Sequence, residues 1–150
     1  MFEFRNPGQL VDDGLELVWV EEYPGDPDIG FVPEYGFEMR LTRTETKVGY
    51  IGLRVGNTHH LVMYGGHIRY EVLPEYRGHR YAARGCRLLF PLARNHGMHT
   101  LWITCNPDII ASARTCELAG GELVEVVDLP EDTDMYQKGE RRKCRYRFEL

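Results

Sequence analysis

The spacing of apolar residues along the chain predicts several strands and two helices. Apolar and polar residues alternate in HIRYEVL, 67–73, and in KCRYRFEL, 143–150, which is the period of a strand. TLWITC, 100–105, is apolar almost throughout, as expected of a strand covered on both faces. Further strand patterns lie at 14–23, 37–44, 47–55 and 122–129.

Apolar residues three and four positions apart predict a long helix over 82–96. It joins the strands at 67–73 and 100–105, an order that indicates a right-handed parallel crossover. A shorter helix begins near Asn106 and stops at Gly120. Strands and helices mixed in this way predict an α+β (mixed α/β) fold, with residues 1–150 forming one domain.

The segment between residues 24 and 36 is rich in proline and glycine, and it predicts a long loop. Loops of this length inside a compact domain are commonly functional. No internal repeat or low-complexity segment interrupts the chain.

The turn PEYRGHRYAARGC, 74–86, carries basic residues between a predicted strand and the long helix. A glycine turn that opens a helix points free backbone N–H groups and the positive end of the helix dipole at one place. This arrangement favours binding of an anion. The alternative is an ordinary turn whose basic side chains are solvated.

Composition restricts the kind of protein. The net charge of −5 over 150 residues argues against a general nucleic-acid binder, so an anionic ligand would have to meet a local basic patch. No apolar stretch approaches membrane-spanning length, and MFEFRNPGQL lacks a basic start followed by an apolar run. A cytoplasmic location without a membrane partner is the expectation.

Cysteine and histidine spacing gives no metal prediction. The four cysteines are far apart and none forms a CxxC pair, which favours buried thiols over metal or disulfide roles. The pairs His59 with His60 and His96 with His99 have no further ligand at metal-binding spacing. The expected site therefore holds no metal.

The order of the elements and two motifs resemble the GNAT acetyltransferase family. In that family the turn reads Arg or Gln, two variable residues, Gly, one variable residue, then Gly or Ala. Arg77 and Ala82 occupy the first and last of these places, and VLPEYRG matches the usual approach to the turn. Arg80 stands where the second glycine is expected, a departure that requires a backbone conformation open to other residues.

The second motif is NPDIIASARTCELAGG, 106–121. It is similar to the helix after the fifth strand in the branch that includes ribosomal-protein and antibiotic acetyltransferases. Asn106 and Ser112 match that branch, whereas Ile109 replaces an asparagine. Cys116 falls where many members carry the tyrosine that protonates the departing thiolate.

The resemblance implies a central, mostly antiparallel sheet flanked by helices, with a parallel pair of strands splayed around the coenzyme. It also implies acetyl-CoA as co-substrate, with its pyrophosphate in the basic turn. The residues expected to bind it are Val72, Leu73, Arg77, Gly78, His79, Arg80, Tyr81, Ala82, Asn106 and Ser112.

The implied reaction is N-acyl transfer to a small-molecule or peptide amine by direct attack. It needs a base, a donor to the developing oxyanion and a means of releasing the thiolate. The backbone N–H of Val72 corresponds to the group that faces the thioester carbonyl, and Glu71 is the base candidate. Strand alternation turns these neighbours to opposite faces unless a bulge intervenes, and pairing with Arg69 is the other role open to Glu71.

Cys116 is the candidate proton donor to the thiolate, with packing in the core as its alternative. Tyr136 and Tyr146 are further acid candidates. The departures at Arg80, Ile109 and Cys116 leave a different function open, a non-catalytic CoA-binding or acyl-CoA-binding module. A homodimer is an open alternative to a monomer.

Overall fold

The strands form two antiparallel sheets, and the helices pack around them. The computed structural model describes residues 2–150. The first sheet has the order β1 to β5, and the second has the order β6, β8, β7. The strands are β1 Leu10–Asp12, β2 Leu15–Tyr23, β3 Glu34–Leu41, β4 Lys47–Arg54, β5 Ile68–Val72, β6 Thr100–Cys105, β7 Glu122–Asp128 and β8 Arg142–Glu149. The helices are α1 Tyr81–Asn95, α2 Ile110–Leu118 and the single turn α3 Asp134–Gln137.

The mixed α+β fold predicted from the sequence is confirmed. Most predicted strands agree with the structure to within a residue or two, but the strand placed at 37–44 runs from Glu34 to Leu41. Several short elements lacked a sequence prediction, among them β1, a π-helical turn at Leu61–Gly65 and α3. The predicted loop at 24–36 holds only the 3-10 turn Pro27–Ile29 before β3 begins.

Helix α1 covers one face of the first sheet. Gly85 allows a close approach there, because a Cβ at this position would lie 3.1 Å from the Met39 sulfur and 3.2 Å from the Ile51 Cδ1 atom. Arg84 fixes the helix to the β1–β2 turn by donating from Nε to the Asp12 carboxylate at 2.9 Å. The opposite face carries Tyr50 and is not covered by α1.

The two sheets are joined through His67, at the start of β5. Its carbonyl oxygen accepts from the Arg54 N–H at 2.7 Å, and its own N–H donates to the Trp102 carbonyl at 2.7 Å. The Trp102 N–H in turn donates to the His67 Nδ1 at 2.9 Å. Beyond this point no ladder joins β5 to β6, so the strands predicted as a splayed pair lie in different sheets.

The His67 side chain is fully buried, and it holds one tautomer. Nδ1 accepts a hydrogen bond, so the ring proton lies on Nε2, which donates to the Gly56 carbonyl at 3.0 Å, with the Asn57 Oδ1 3.1 Å away. Burial lowers the pKa of His67 to about 4. The neutral imidazole is therefore the form that joins the sheets.

His67 should make stability depend on pH. Because its pKa is depressed in the folded state, the unfolded chain takes up the proton first as the pH falls. The contribution of the neutral His67 to the free energy of unfolding is complete above pH ~6.5. About 3 kcal/mol of it is lost as the pH falls from ~6.5 to ~4. Urea unfolding across this range should show a smaller loss in His67→Gln than in the parent, although the variant is less stable at neutral pH.

His99→Gln is the matched control, because His99 is exposed. It should keep the pH dependence of the parent. Parallel pH curves for the parent and His67→Gln would contradict the assignment.

Candidate functional site

Most residues singled out around the basic turn line one cleft of about 350 Å³, here named the turn cleft. It lies between the end of β5, the turn and α2. The predicted residues that line it are Glu71, Val72, Arg77, Gly78, Arg80, Tyr81, Ala82 and Ser112. Leu73, His79, Asn106 and Cys116 are not among its lining residues.

The start of α1 supplies free hydrogen-bond donors to this cleft. Arg80 occupies the N-cap, and no side chain caps the helix. The first amide with a helical acceptor is that of Arg84, which donates to the Arg80 carbonyl at 3.1 Å. Within residues 2–150, no acceptor is found for the N–H groups of residues 78–83. A diphosphate would satisfy several of them at once, where the helix dipole also favours negative charge.

The two positive φ angles in the turn have different origins. Gly78 has φ of 91° and no atom within 4 Å of where a Cβ would lie, so the turn needs glycine for its conformation and not for space. Arg80 adopts the left-handed conformation, with φ of 63° and ψ of 22°. This conformation costs an arginine about 1 kcal/mol. Arg80 thus adopts the backbone conformation that the glycine expected at this place would adopt more easily.

The Val72 N–H points away from β4. Leu73 donates to the Val48 carbonyl at 2.8 Å, so this pair is hydrogen-bonded. Opposed residues in an antiparallel ladder alternate between bonded and non-bonded pairs, and Val72 lies opposite Gly49 in the next pair. The Val72 N–H therefore faces the side on which β5 and β6 diverge.

Alternation along β5 separates its side chains onto two faces. Tyr70 and Val72 face the core side of the sheet, while Arg69 and Glu71 face the side not covered by α1. Glu71 lies opposite Tyr50 and is exposed. Arg69 binds Glu34, with its Nε 2.6 Å from the carboxylate, so the alternative pairing of Arg69 with Glu71 is not present.

Cys116 lies in the core, with none of its surface exposed. Contact with the Cys105 thiol, together with burial, raises its pKa well above the ordinary value. This position agrees with the packing alternative. All four cysteines are buried, including Cys86, Cys105 and Cys144, whose positions on the apolar phase predicted it.

Asn106 follows β6 directly and carries an unused acceptor. Its Oδ1 atom is buried without a hydrogen-bond partner. A buried carbonyl oxygen of this kind costs free energy unless something donates to it.

Tyr70 is a site residue that sequence reasoning missed. It lines the turn cleft, and its phenol lies near the Ser112 and Thr115 hydroxyls of α2. Burial raises the pKa of Tyr70, so its hydroxyl keeps its proton at neutral pH. The available signal was its period-two phase with Val72, but only the packing of α2 shows which hydroxyls it meets.

A second cleft of about 320 Å³ lies on the face of the first sheet that α1 leaves uncovered, and we name it the sheet groove. Its lining includes Glu21 and Tyr23 of β2 and the glycines Gly36 and Gly52. Tyr70 and Glu71 border both clefts. Within residues 2–150, no group of three or more His, Cys, Asp or Glu side chains is arranged to hold a metal ion.

A family model described as an acetyltransferase (GNAT) domain matches residues 14–122. No curated protein matches the chain. Among the helices of residues 2–150, none combines the length and apolar character needed to cross a membrane.

Several solved structures share the fold. A putative ribosomal-protein-serine acetyltransferase from Vibrio cholerae is 14% identical with a TM-score of 0.67, and the match covers 97% of this chain and 100% of that one. The ribosomal L7/L12 acetyltransferase RimL is 14% identical with a TM-score of 0.67, covering 93% and 96%. The microcin C7 self-immunity acetyltransferase MccE, in complex with acetyl-CoA and AMP, is 13% identical with a TM-score of 0.60, covering 78% and 61%.

The match to an acetyltransferase of the GNAT family from Bacillus anthracis is 17% identical with a TM-score of 0.59 and covers 76% of this chain. It spans 65% of the length of that protein.

The free N–H groups at the start of α1 should bind inorganic pyrophosphate. In an NMR titration, the amide signals of residues 78–83 should shift most, because these donors lack protein acceptors. Gly78→Pro should weaken this binding by more than about tenfold, since it removes one donor and fixes φ near −65°. Arg80→Gly tests the side chain while tolerating the left-handed conformation, and it should have the smaller effect.

Gly97→Pro is the control at the opposite end of α1, where Gly97 also has a positive φ of 79° and open space around it. It should bind pyrophosphate as the parent does. Equal binding by the parent and a folded Gly78→Pro variant would show that the turn is not the anion site.

Proposed function

Because the chain belongs to the GNAT acetyltransferase family, we propose that it transfers an acetyl group from acetyl-CoA to an amine by direct attack. One observation carries the proposal: the turn cleft and the sheet groove meet at Tyr70 and Glu71. A coenzyme in the first cleft and an amine in the second would bring their reacting atoms together there.

The N–H groups of residues 78–83 are assigned to the coenzyme diphosphate, with the Arg77 and Arg80 side chains beside it. Ser112 lines the same cleft further along α2 and would contact the pantetheine arm. Asn106 lies outside the lining of the turn cleft, so its unused Oδ1 is a less direct candidate than Ser112 to accept from a pantetheine amide. Leu73 and His79 would contact the coenzyme only at the edge of the cleft. The Leu73 N–H already donates to the Val48 carbonyl, and the His79 ring stacks on Tyr81 with the ring centroids 5.4 Å apart.

Glu71 is assigned as the general base. An amine acceptor is mostly protonated near neutrality and attacks only after it loses that proton. Glu71 is exposed on the groove side of β5 and has no ion-pair partner among residues 2–150. Its carboxylate is therefore free to accept a proton from an amine in the sheet groove.

Acetyl-CoA supplies the activated thioester. The Val72 N–H, which points away from β4, would donate to the carbonyl oxygen as negative charge develops on it. The nitrogen–carbon bond forms, and the carbon–sulfur bond then breaks.

Tyr70 is assigned as the proton donor to the departing sulfur, in place of Cys116. It faces the same side of β5 as Val72, and burial keeps its hydroxyl protonated. The Ser112 hydroxyl would donate to the phenolate until it recovers a proton from solvent or the acceptor, whereas the Thr115 hydroxyl donates to the Ala111 carbonyl at 3.0 Å. Cys116 would then serve packing alone.

The alternative function is a CoA-binding module without turnover. It is favoured by the burial of Cys116 and by the exposed Ile109, which lines the turn cleft where relatives carry asparagine. Calorimetry with acetyl-CoA, followed by thiol release with a panel of amines, separates the two. Binding without turnover on a broad panel favours the module, and no binding removes both functions.

Glu71→Gln should lower kcat for amine acetylation by about 10² or more, the usual contribution of a positioned general base. The Kd for acetyl-CoA should change little, because the diphosphate sites are untouched. The rate is followed by release of free thiol. Glu75→Gln, an exposed carboxylate in the turn Pro74–Tyr76, is the control. A Glu71→Gln variant as fast as the parent would remove this residue as the base.

Tyr70→Phe should lower kcat by about tenfold to 10² while leaving the KM for acetyl-CoA nearly unchanged. The deficit should shrink with acetyl thioesters of more acidic thiols, because a better leaving group needs less protonation. A purely structural role would not depend on the leaving thiol. Tyr136→Phe is the control, and a Tyr70→Phe deficit that is constant for all thioesters would exclude the proton-donor role.

A further inference from the structure

A single row of residues forms the floor of the sheet groove. The strand register places Glu21 opposite Gly36, Gly36 opposite Gly52, and Gly52 opposite Arg69. The two central residues have no side chains of their own. The space beside Gly36 is bordered by the Glu21 and Tyr23 side chains, and the Glu34 carboxylate lies against Gly52, with its Oε2 2.5 Å from where a Cβ would lie. The groove therefore crosses the first sheet at right angles to its strands.

The row determines the length of the groove. Four adjacent strands contribute, and three spacings of about 4.8 Å separate its ends by roughly 14 Å. Tyr23 and Tyr50 lie along it, with Val20 at the β2 end. Tyr50 and Val20 are 42% and 43% exposed, so apolar surface remains open to a ligand. The shape suits an extended, narrow molecule with an apolar middle.

The charges at the two ends are not equivalent. Arg69 and Arg54 share the single Glu34 carboxylate, at 2.6 Å and 3.3 Å. Glu21 has no ion-pair partner among residues 2–150, and the same holds for Glu71. Each end of the groove therefore offers an uncompensated carboxylate, one beside the turn cleft and one three strands away.

We propose that the sheet groove binds a linear amine with two cationic centres, one at Glu71 for acetylation and one at Glu21. The inference rests on the proposed function for the reacting end and adds the class of acceptor. Glu21 is the specificity-determining residue, because it selects the second charge. The methylene chain between the charges passes over Gly36 and beside Gly52, where the Glu34 carboxylate, held by Arg54 and Arg69, borders its path.

An α-amino acid is the competing small acceptor, with its carboxylate on Arg69. The short Nε contact between Arg69 and Glu34 lowers the positive charge available for it. A zwitterion would also leave the Glu21 end of the groove empty. The charges therefore favour the diamine.

The test compares diaminooctane with octylamine, which has the same chain and one amine. In the parent, kcat/KM from thiol release should be about fivefold higher for the diamine, beyond the statistical advantage of two equivalent amines. Glu21→Gln should reduce the ratio to that statistical value. Glu22→Gln removes the adjacent carboxylate, which lines neither cleft, and should keep the ratio and the rates of the parent.

Equal kcat/KM for the two amines, an unchanged ratio in Glu21→Gln, or a preference for α-amino acids over both amines would overturn the proposal. Calorimetric binding of the two amines to the parent and both variants keeps this test separate from the proposed function. If no amine is acetylated but the diamine binds more tightly in a Glu21-dependent way, the groove assignment stands and the transfer reaction fails. Equal binding of both amines overturns the groove assignment whatever the activity.

Discussion

The contact between His67 and Trp102 is the constraint on which the arrangement of the site depends. It connects the two sheets through main-chain and imidazole hydrogen bonds at one residue, and it leaves the rest of β5 without a partner on that side. Gly66 makes this approach feasible, because a Cβ there would lie 3.1 Å from the Thr104 nitrogen. A continuous ladder between β5 and β6 would have used the Val72 N–H and closed the cleft. The turn cleft is therefore the gap that remains because β5 and β6 stop pairing after His67 and Trp102.

The open face of the first sheet is the other condition for the proposed chemistry. Residues 24–33 connect β2 to β3 as a loop with one short 3-10 turn, and none of them lines the sheet groove. Glu34 then organises the charged side chains near the reacting end by holding Arg54 and Arg69. The proposed coenzyme half of the site lies in the turn cleft, and the proposed acceptor half lies in the sheet groove.

The sequence predicted the regular parts of the fold because their periodicity is local. The ends of β5, β6 and α1 lie within one residue of the predicted ends. The reason is that the apolar residues of each segment repeat with the period of its buried face. β1 has three residues, and the π-helical turn Leu61–Gly65 has no long-range repeat, so neither gave a usable pattern. The basic turn was also readable, because glycine and helix-start chemistry are local.

The proposed acid and base were harder to identify from the sequence, because their environments depend on contacts between distant segments. The family pattern drew attention to Cys116, but its environment is set by Cys105 on β6, which only the folded chain brings near. Tyr70 becomes a candidate proton donor only in the folded chain, where α2 packs against its phenol. The left-handed conformation of Arg80 was required by the motif and is present, yet its strain has no separate signature in the sequence.

The alternation of β5 has a consequence for how this protein can change during evolution. The Tyr70 and Val72 side chains face one side of the sheet and the Glu71 side chain faces the other, so substitution at one position leaves the opposite face of β5 unchanged. Loss or gain of a single codon within the strand would be different, because every later side chain would move to the opposite face. The length of β5 is therefore the more sensitive property of this strand, whereas the loop at 24–33 can change length without turning any of these side chains to the other face.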